Sequence, residues 1–337
     1  MNHVRLAPNL RSFVIALGLV FAVATQAAAD PRHWKRAGFT TDFSKTAVPF
    51  SEIFSGGPPK DGIPSIDAPS FAPVSDIDWL EDLEPVIRLE IDGVVKAYPL
   101  QVLIWHEIVN DTIAGREVAV TYCPLCNSSV VFDRRLDGKT LDFGTTGLLR
   151  NSDLVMYDRQ TESWWQQFTG EAIVGAFVGR ELQMIPSRVE SFASLRDTTP
   201  NALVLQRPAS ARRDYGRNPY VGYDSRNAPY PFYQGDLPEG INPMARVVVV
   251  RDGDDIHAVT LAQLRETGRA SFGDVEVRWR EGQASILDTS RAAKGRDVGN
   301  VTAIKRLGGE ETDLVHDVTF AFVIHAFHPD LPVAGFR

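Results

Sequence analysis

Apolar and polar positions alternate along Val86-Ile87-Arg88-Leu89-Glu90-Ile91, and the run stops at Asp92-Gly93. That is the signature of a half-buried strand entering a hairpin, with Val94-Val95-Lys96-Ala97-Tyr98 returning. The period then lengthens. Leu100, Leu103, Ile104 and Ile108 recur at helical spacing, which predicts a short helix carrying Trp105, His106 and Glu107 before Gly115. Val118–Tyr122 predicts a strand running into Cys123-Pro124-Leu125-Cys126, and Ser129–Arg134 a strand leaving it. Asp137-Gly138 marks a further hairpin. Strands are predicted over 154–157 and 163–166, a short helix over 191–196, and a last strand holding His325 and His328.

After Met244 the pattern returns. Val247-Val248-Val249-Val250-Arg251-Asp252-Gly253 matches Arg88-Leu89-Glu90-Ile91-Asp92-Gly93 in kind, and Ala258, Leu261 and Leu264 follow as Ala97, Leu100 and Leu103 do. Ser285-Ile286-Leu287-Asp288 stands for Val130-Val131-Phe132-Asp133, and Thr267 or Gly268 for His106. The expected fold is α+β and β-rich: antiparallel meanders with a few short helices, in two pseudo-duplicated halves. The boundaries that follow are an extended wrap over 30–84, a cysteine-bearing half over 85–205, a loop-rich connector over 206–243 and a second, site-less half over 244–337. Prolines and glycines forbid a helix across Gly56–Pro64.

The first residues change the compartment. Arg5 and Arg11, the apolar run Phe13–Val23 and Ala27-Ala28-Ala29 read as a cleaved signal peptide over 1–29, placing the mature protein in the periplasm or outside the cell. No later stretch is long and apolar enough to span a membrane. The formal charge of −8 becomes more acidic once both arginines leave with the signal, which argues against nucleic acid and anionic membranes as partners.

The chain has two cysteines, so no multi-bridge framework is available. Pro124 pre-sets a β-turn and Asn127 tolerates a left-handed backbone, the layout of a metal knuckle between two strands. A thioredoxin-like site would need a helix after the first cysteine, and Ser128-Ser129-Val130-Val131-Phe132 is built for a strand. Two thiolates leave a tetrahedral site incomplete, and His106 is the nearest candidate for a third ligand, with copper or zinc as the metal. Glu107 or Asp153 would then orient a ligand or accept a proton. Arg150 and Asn151 in a glycine-rich connection, and Trp164 beside Trp165, offer groups for a bound cofactor or a pocket wall. No catalytic triad, nucleotide fingerprint or H-E-x-x-H occurs.

Several linked motifs resemble those of a prokaryotic family of unknown function, domain-of-unknown-function family 3179. They are Asp61-Gly62-Ile63-Pro64, Tyr98-Pro99-Leu100, Trp105-His106-Glu107, Thr121-Tyr122-Cys123-Pro124-Leu125-Cys126-Asn127, Leu149–Leu154, Met156-Tyr157-Asp158 and Thr161–Gln166. The resemblance implies no activity. It implies that these motifs travel together, compatible with one site. The leading expectation is an exported metal-binding or metal-linked redox protein centred on Cys123, Cys126 and His106, acting on a small molecule or a redox partner protein. A metal-free thiol–disulfide protein and a binding module with a structural disulfide stand beside it.

Overall fold

A computed structural model describes residues 30–209 and 213–336, so the signal peptide expected over 1–29 lies outside the described residues. The chain enters through helix α1 (Pro31–Arg36), capped by the Asp30 side chain, which accepts from Arg32 N at 2.8 Å. It then lays down two edge strands, β1 (Ile53–Ser55) and β2 (Phe71–Pro73).

The first half opens with the hairpin of β3 (Pro85–Ile91) and β4 (Val94–Pro99). Asp92 and Gly93 both take positive φ, the two-residue turn whose twist matches the strands. Helix α2 (Leu100–Leu103), β5 (Ile108–Ile113), β6 (Arg116–Cys123) and β7 (Ser128–Asp133) follow. A small ribbon, β8 (Arg135–Leu136) with β9 (Lys139–Thr140), leads to the meander β10 (Phe143–Arg150), β11 (Asp153–Asp158), β12 (Trp164–Gln166) and β13 (Ala172–Val174). The chain returns through β14 (Met184–Ile185), β15 (Arg188–Ser191), α3 (Phe192–Thr198) and β16 (Leu203–Leu205). The sheets run β15-β3-β4-β16-β2, β14-β7-β6-β5 and β1-β10-β11-β12-β13.

The second half repeats this plan. It comprises β17 (Arg246–Asp252), β18 (Asp255–Thr260), α4 (Leu261–Thr267), β19 (Arg269–Phe272), β20 (Val275–Arg280), β21 (Asn300–Leu307), β22 (Glu310–Asp313), β23 (Val315–Phe320), α5 (Ala321–Phe327) and β24 (Val333–Ala334). Its sheets run β23-β17-β18-β24 and β19-β20-β21-β22, the order of the first half except for the edge strand β2, which has no counterpart. Directions repeat too: β15 is antiparallel to β3 as β23 is to β17, and β16 is parallel to β4 as β24 is to β18. The registers put Val86, Tyr98 and Ile108 where Val247, Val259 and Arg269 stand.

Three expectations are corrected by this repeat. The second hairpin turns at Gly253-Asp254, one residue beyond the predicted match. Ser285–Asp288 is not the return strand. β21 is, and it begins only at Asn300, because Glu281–Gly299 forms a long loop held by Asp297, whose carboxylate accepts from Gly282 N, Gln283 N and Gly299 N. His325 is in helix α5 and His328 caps it, so neither is on a strand. The α5 segment occupies the place of α3, where Phe322, Val323 and Ile324 bury together.

The halves meet reciprocally. β23 lies along β7, where Ser129 N donates to Asp317 Oδ1 at 2.9 Å. β15 lies along β21, where Ser191 N donates to Asn300 Oδ1 at 2.7 Å. One core cluster runs through both halves, from Ile87 and Val120 to Val249 and Phe322. The meander β10–β13 has no counterpart in the second half, where Gly308 and Gly309 alone join β21 to β22. No helix among the described residues is long and apolar enough to cross a membrane.

Candidate metal centre

Cys123 ends β6, and Pro124–Asn127 form the turn into β7. Asn127 takes φ +50°, and its N–H donates to Pro124 O at 3.2 Å, closing the turn. The turn's other carbonyls are tied from outside. Tyr223 Oη in the connector donates to Leu125 O at 3.0 Å, and Thr319 Oγ1 on β23 donates to Cys126 O at 2.8 Å. Asn127 Nδ2 reaches Val318 O at 2.6 Å. The turn is therefore fixed by the second half and the connector as well as by its own strands. Both cysteines are buried and are not joined to each other by a disulfide.

The third member arrives on the inserted meander. Asn151 and Ser152, at φ +54° and +62°, make a two-residue hairpin turn that places Asp153 at the first position of β11, paired with Arg150. Ser152 O lies 3.8 Å from Cys123 Sγ, which donates to it. Sulfur atoms of Cys123 and Cys126 and a carboxylate oxygen of Asp153 all lie within 4.8 Å of one another. Asp153 Oδ2 accepts from Gln166 Nε2 at 2.6 Å and from Phe168 N at 2.9 Å, whereas Oδ1 is buried with no hydrogen-bond partner. Gln166 is itself oriented, since its Oε1 accepts from Arg150 Nη1 at 3.3 Å and Arg150 Nε holds Glu52 at 2.8 Å.

His106 does not join this group. Its Nδ1 donates to Pro64 O and its Nε2 accepts from Tyr215 Oη, each at 2.7 Å. Both ring nitrogens are thus occupied, and burial lowers the pKa and keeps the ring neutral. The expected helix also stops short. α2 ends at Leu103, and His106 and Glu107 lie in the turn into β5.

Glu107 is the residue that turn serves. It takes φ +60°, in the left-handed region that costs an ordinary side chain about 1–2 kcal/mol. Its counterpart by register is Gly268, at φ +74°. The correspondence extends to the backbone: Tyr122 N donates to Glu107 O at 2.8 Å, as Trp279 N does to Gly268 O at 2.9 Å. The Glu107 side chain is buried, and no hydrogen bond or counter-ion meets its carboxylate among the described residues. Burial, with the Asp153 charge beside it, pushes its pKa up to about 8. Burial likewise raises Asp153 to about 6, against the stabilising Gln166 and Phe168 N–H bonds. Both thiols are held up by burial, and the Asp153 charge adds to this at each.

The remaining expected site residues are placed as follows. Arg150 acts within the Glu52–Gln166 chain, and Asn151 is the hairpin turn. Trp164 walls no open pocket: it is fully buried against Trp34, Phe39 and Phe43, with ring centroids 4.9 to 5.3 Å away. Trp165 points to the opposite face of β12 and donates from Nε1 to Asp158 Oδ2 at 3.0 Å. Gln166 and Tyr220 were not singled out from the sequence. Tyr220 is half-buried in the connector, where the Glu107 and Cys123 charges add to the effect of burial in raising its phenol pKa. The only sequence signal for Gln166 was its place at the end of the Thr161–Gln166 motif.

The family profile described as "Protein of unknown function (DUF3179)" matches residues 60–331. The chain belongs to this family. Cysteine turn, Asp153, Gln166 and Glu107 all lie inside the matched span. No curated protein matches the chain, and no solved structure does.

Proposed function

We propose that this DUF3179 chain is a metal-binding protein whose centre is built on Cys123, Cys126 and Asp153. One observation carries the reading: two sulfurs and a carboxylate oxygen of Asp153 lie within 4.8 Å of one another, and that carboxylate is held through Oδ2 by two N–H donors while Oδ1 has no partner. That donor set is what a first coordination shell needs, and the Gln166 and Phe168 bonds are the outer contacts that orient a ligating carboxylate. Cys–Pro–Leu–Cys supplies both sulfurs from one knuckle.

The mixed donor set favours zinc over monovalent copper. A monovalent copper site favours soft sulfur donors throughout, whereas zinc accepts thiolate and carboxylate together. Bound zinc would supply positive charge to a buried group that contains none of its own. The role of this chain's residues is then to hold two thiolates and one carboxylate dry and oriented. Export, read from residues 1–29, would place the centre outside the cytoplasm.

A competition titration tests the reading. The metal-free full chain, titrated with zinc against a chromophoric chelator, is expected to bind one equivalent. The Cys123→Ser/Cys126→Ser variant is expected to bind none at that affinity. Equal zinc uptake by the two proteins would overturn the assignment.

A further inference from the structure

Resting on the metal centre proposed above, we infer that Glu107 is its fourth protein ligand, making a closed two-sulfur, two-oxygen site.

The backbone gives the first argument. The turn from α2 into β5 needs a left-handed residue, and the repeat answers that need with Gly268 in the second half. In the first half the same position carries a glutamate at φ +60°. Glycine meets the conformation without strain, so the chain keeps a strained residue where an unstrained one folds equally well. The turn's geometry gives no reason for a long acidic side chain. The side chain itself must supply one.

Burial gives the second argument. Glu107 is 8% exposed and its carboxylate has neither a donor nor a counter-ion among the described residues. A buried carboxyl with no cation beside it is held in its protonated form, and a bound cation is the partner that would let it ionise. The groups around it are Asp153, Cys123 and the Tyr220 ring, none of which is basic. Its carboxylate lies outside the group of ligand atoms already within 4.8 Å of one another, so ligation would require rotation about its side-chain torsions.

Charge does not forbid the arrangement. Two thiolates and two carboxylates around a divalent ion leave the same net charge as the four-thiolate sites common in structural zinc domains. The position also explains the asymmetry of the halves. The second half has Gly268 for Glu107, Arg280 for Cys123, no cysteine to match Cys126 and no meander to deliver an Asp153, so it lacks all four ligands at once.

The test uses the metal-free full chain and its Glu107→Gln and Glu107→Gly variants, titrated with zinc and with cobalt. Two outcomes together support the inference. Zinc affinity falls in both variants by more than the roughly 10–100-fold that loss of an outer partner costs, and the cobalt absorption spectrum changes. Metal-free Glu107→Gly should also unfold at the same or higher denaturant concentration than the parent, which separates loss of a ligand from loss of the fold. Variants that bind cobalt with the parent's spectrum overturn the inference and leave the three-ligand centre standing. A parent chain that takes up neither metal overturns the centre itself.

Discussion

Among single residues, Asp153 stands beside the two sulfurs where the sequence suggests His106, and His106 is bonded elsewhere. A histidine near a cysteine knuckle is the conventional third ligand, and His106 lies seventeen positions before Cys123 in the chain. What removes it is partnership: Pro64 O and Tyr215 Oη take both ring nitrogens, and neither partner is predictable from local pattern. Asp153 was visible as part of a motif, but its approach to the sulfurs depends on the Asn151-Ser152 turn and the path of an inserted sheet. Gln166 was legible only as the end of the Thr161–Gln166 motif, and its hydrogen bond to Asp153 depends on the same sheet. The distinction is testable. His106→Phe should leave zinc stoichiometry unchanged while lowering stability by about 1–3 kcal/mol, the cost of stranding buried hydrogen-bonding groups. Zinc titration and urea unfolding of this variant read the two effects separately, and loss of zinc would restore His106 to the centre.

The elements that local chemistry dictates were the ones legible beforehand. The Asp92-Gly93 hairpin, the strands on either side of the cysteine turn and the knuckle itself follow from turn residues and β-branched runs. Elements that depend on partners were not legible. α2 is cut to four residues because Ile108 and Val109 pair with Thr121 and Val120 on β6, which ends the helix that their apolar spacing suggested. β21 is delayed to Asn300 by a loop that Asp297 organises. The cysteine turn also depends on a distant element, since Thr319 on β23 satisfies the Cys126 carbonyl. Thr319→Val keeps the shape and removes that donor from a fully buried position. It should cost about 1–3 kcal/mol, measured as a lower urea midpoint. An unchanged midpoint would mean that β23 does not brace the turn.

At the scale of the molecule, a duplicated plan has been made asymmetric. Each half lays one strand along the other, and only the first carries the meander that completes a site. The sequence repeat pointed to this plan. The insertion's role did not show, because it depends on where the meander lies in space. The buried acids of the first half and its interface give the whole protein a pH signature. Glu107 keeps its proton to about pH 8, and Asp153 and Asp317 to about pH 6, all through burial, the last facing Arg251. Unfolded carboxyls titrate near 4. Below about pH 6.5 the protons that these acids keep are opposed by His106, His316 and His328, whose pKa values burial lowers, so that the unfolded chain takes up protons there that the folded chain does not. Above about pH 6.5 the histidines are neutral in both states, the folded metal-free chain binds more protons than the unfolded one through Glu107, and stability falls as pH rises toward 8. Asp133, held down to about 2 by Arg135 and Arg116, acts oppositely, and its contribution is lost only as pH falls from about 4 toward 2. Metal binding displaces the protons, so zinc affinity should rise over the interval in which metal-free stability falls. Urea midpoints of the metal-free protein at about pH 7 and about pH 8.5, both above the unfolded histidine range, check the sign, and a higher midpoint at the higher pH would contradict it.

The most direct measurement is the metal content of the full chain as isolated, by elemental mass spectrometry, beside the Cys123→Ser/Cys126→Ser and Asp153→Ala variants. About one zinc per chain, lost with the cysteines and reduced with Asp153, is the predicted result. A metal-free parent that also fails to take up added zinc would contradict the account and leave Cys123 and Cys126 as a buried thiol pair.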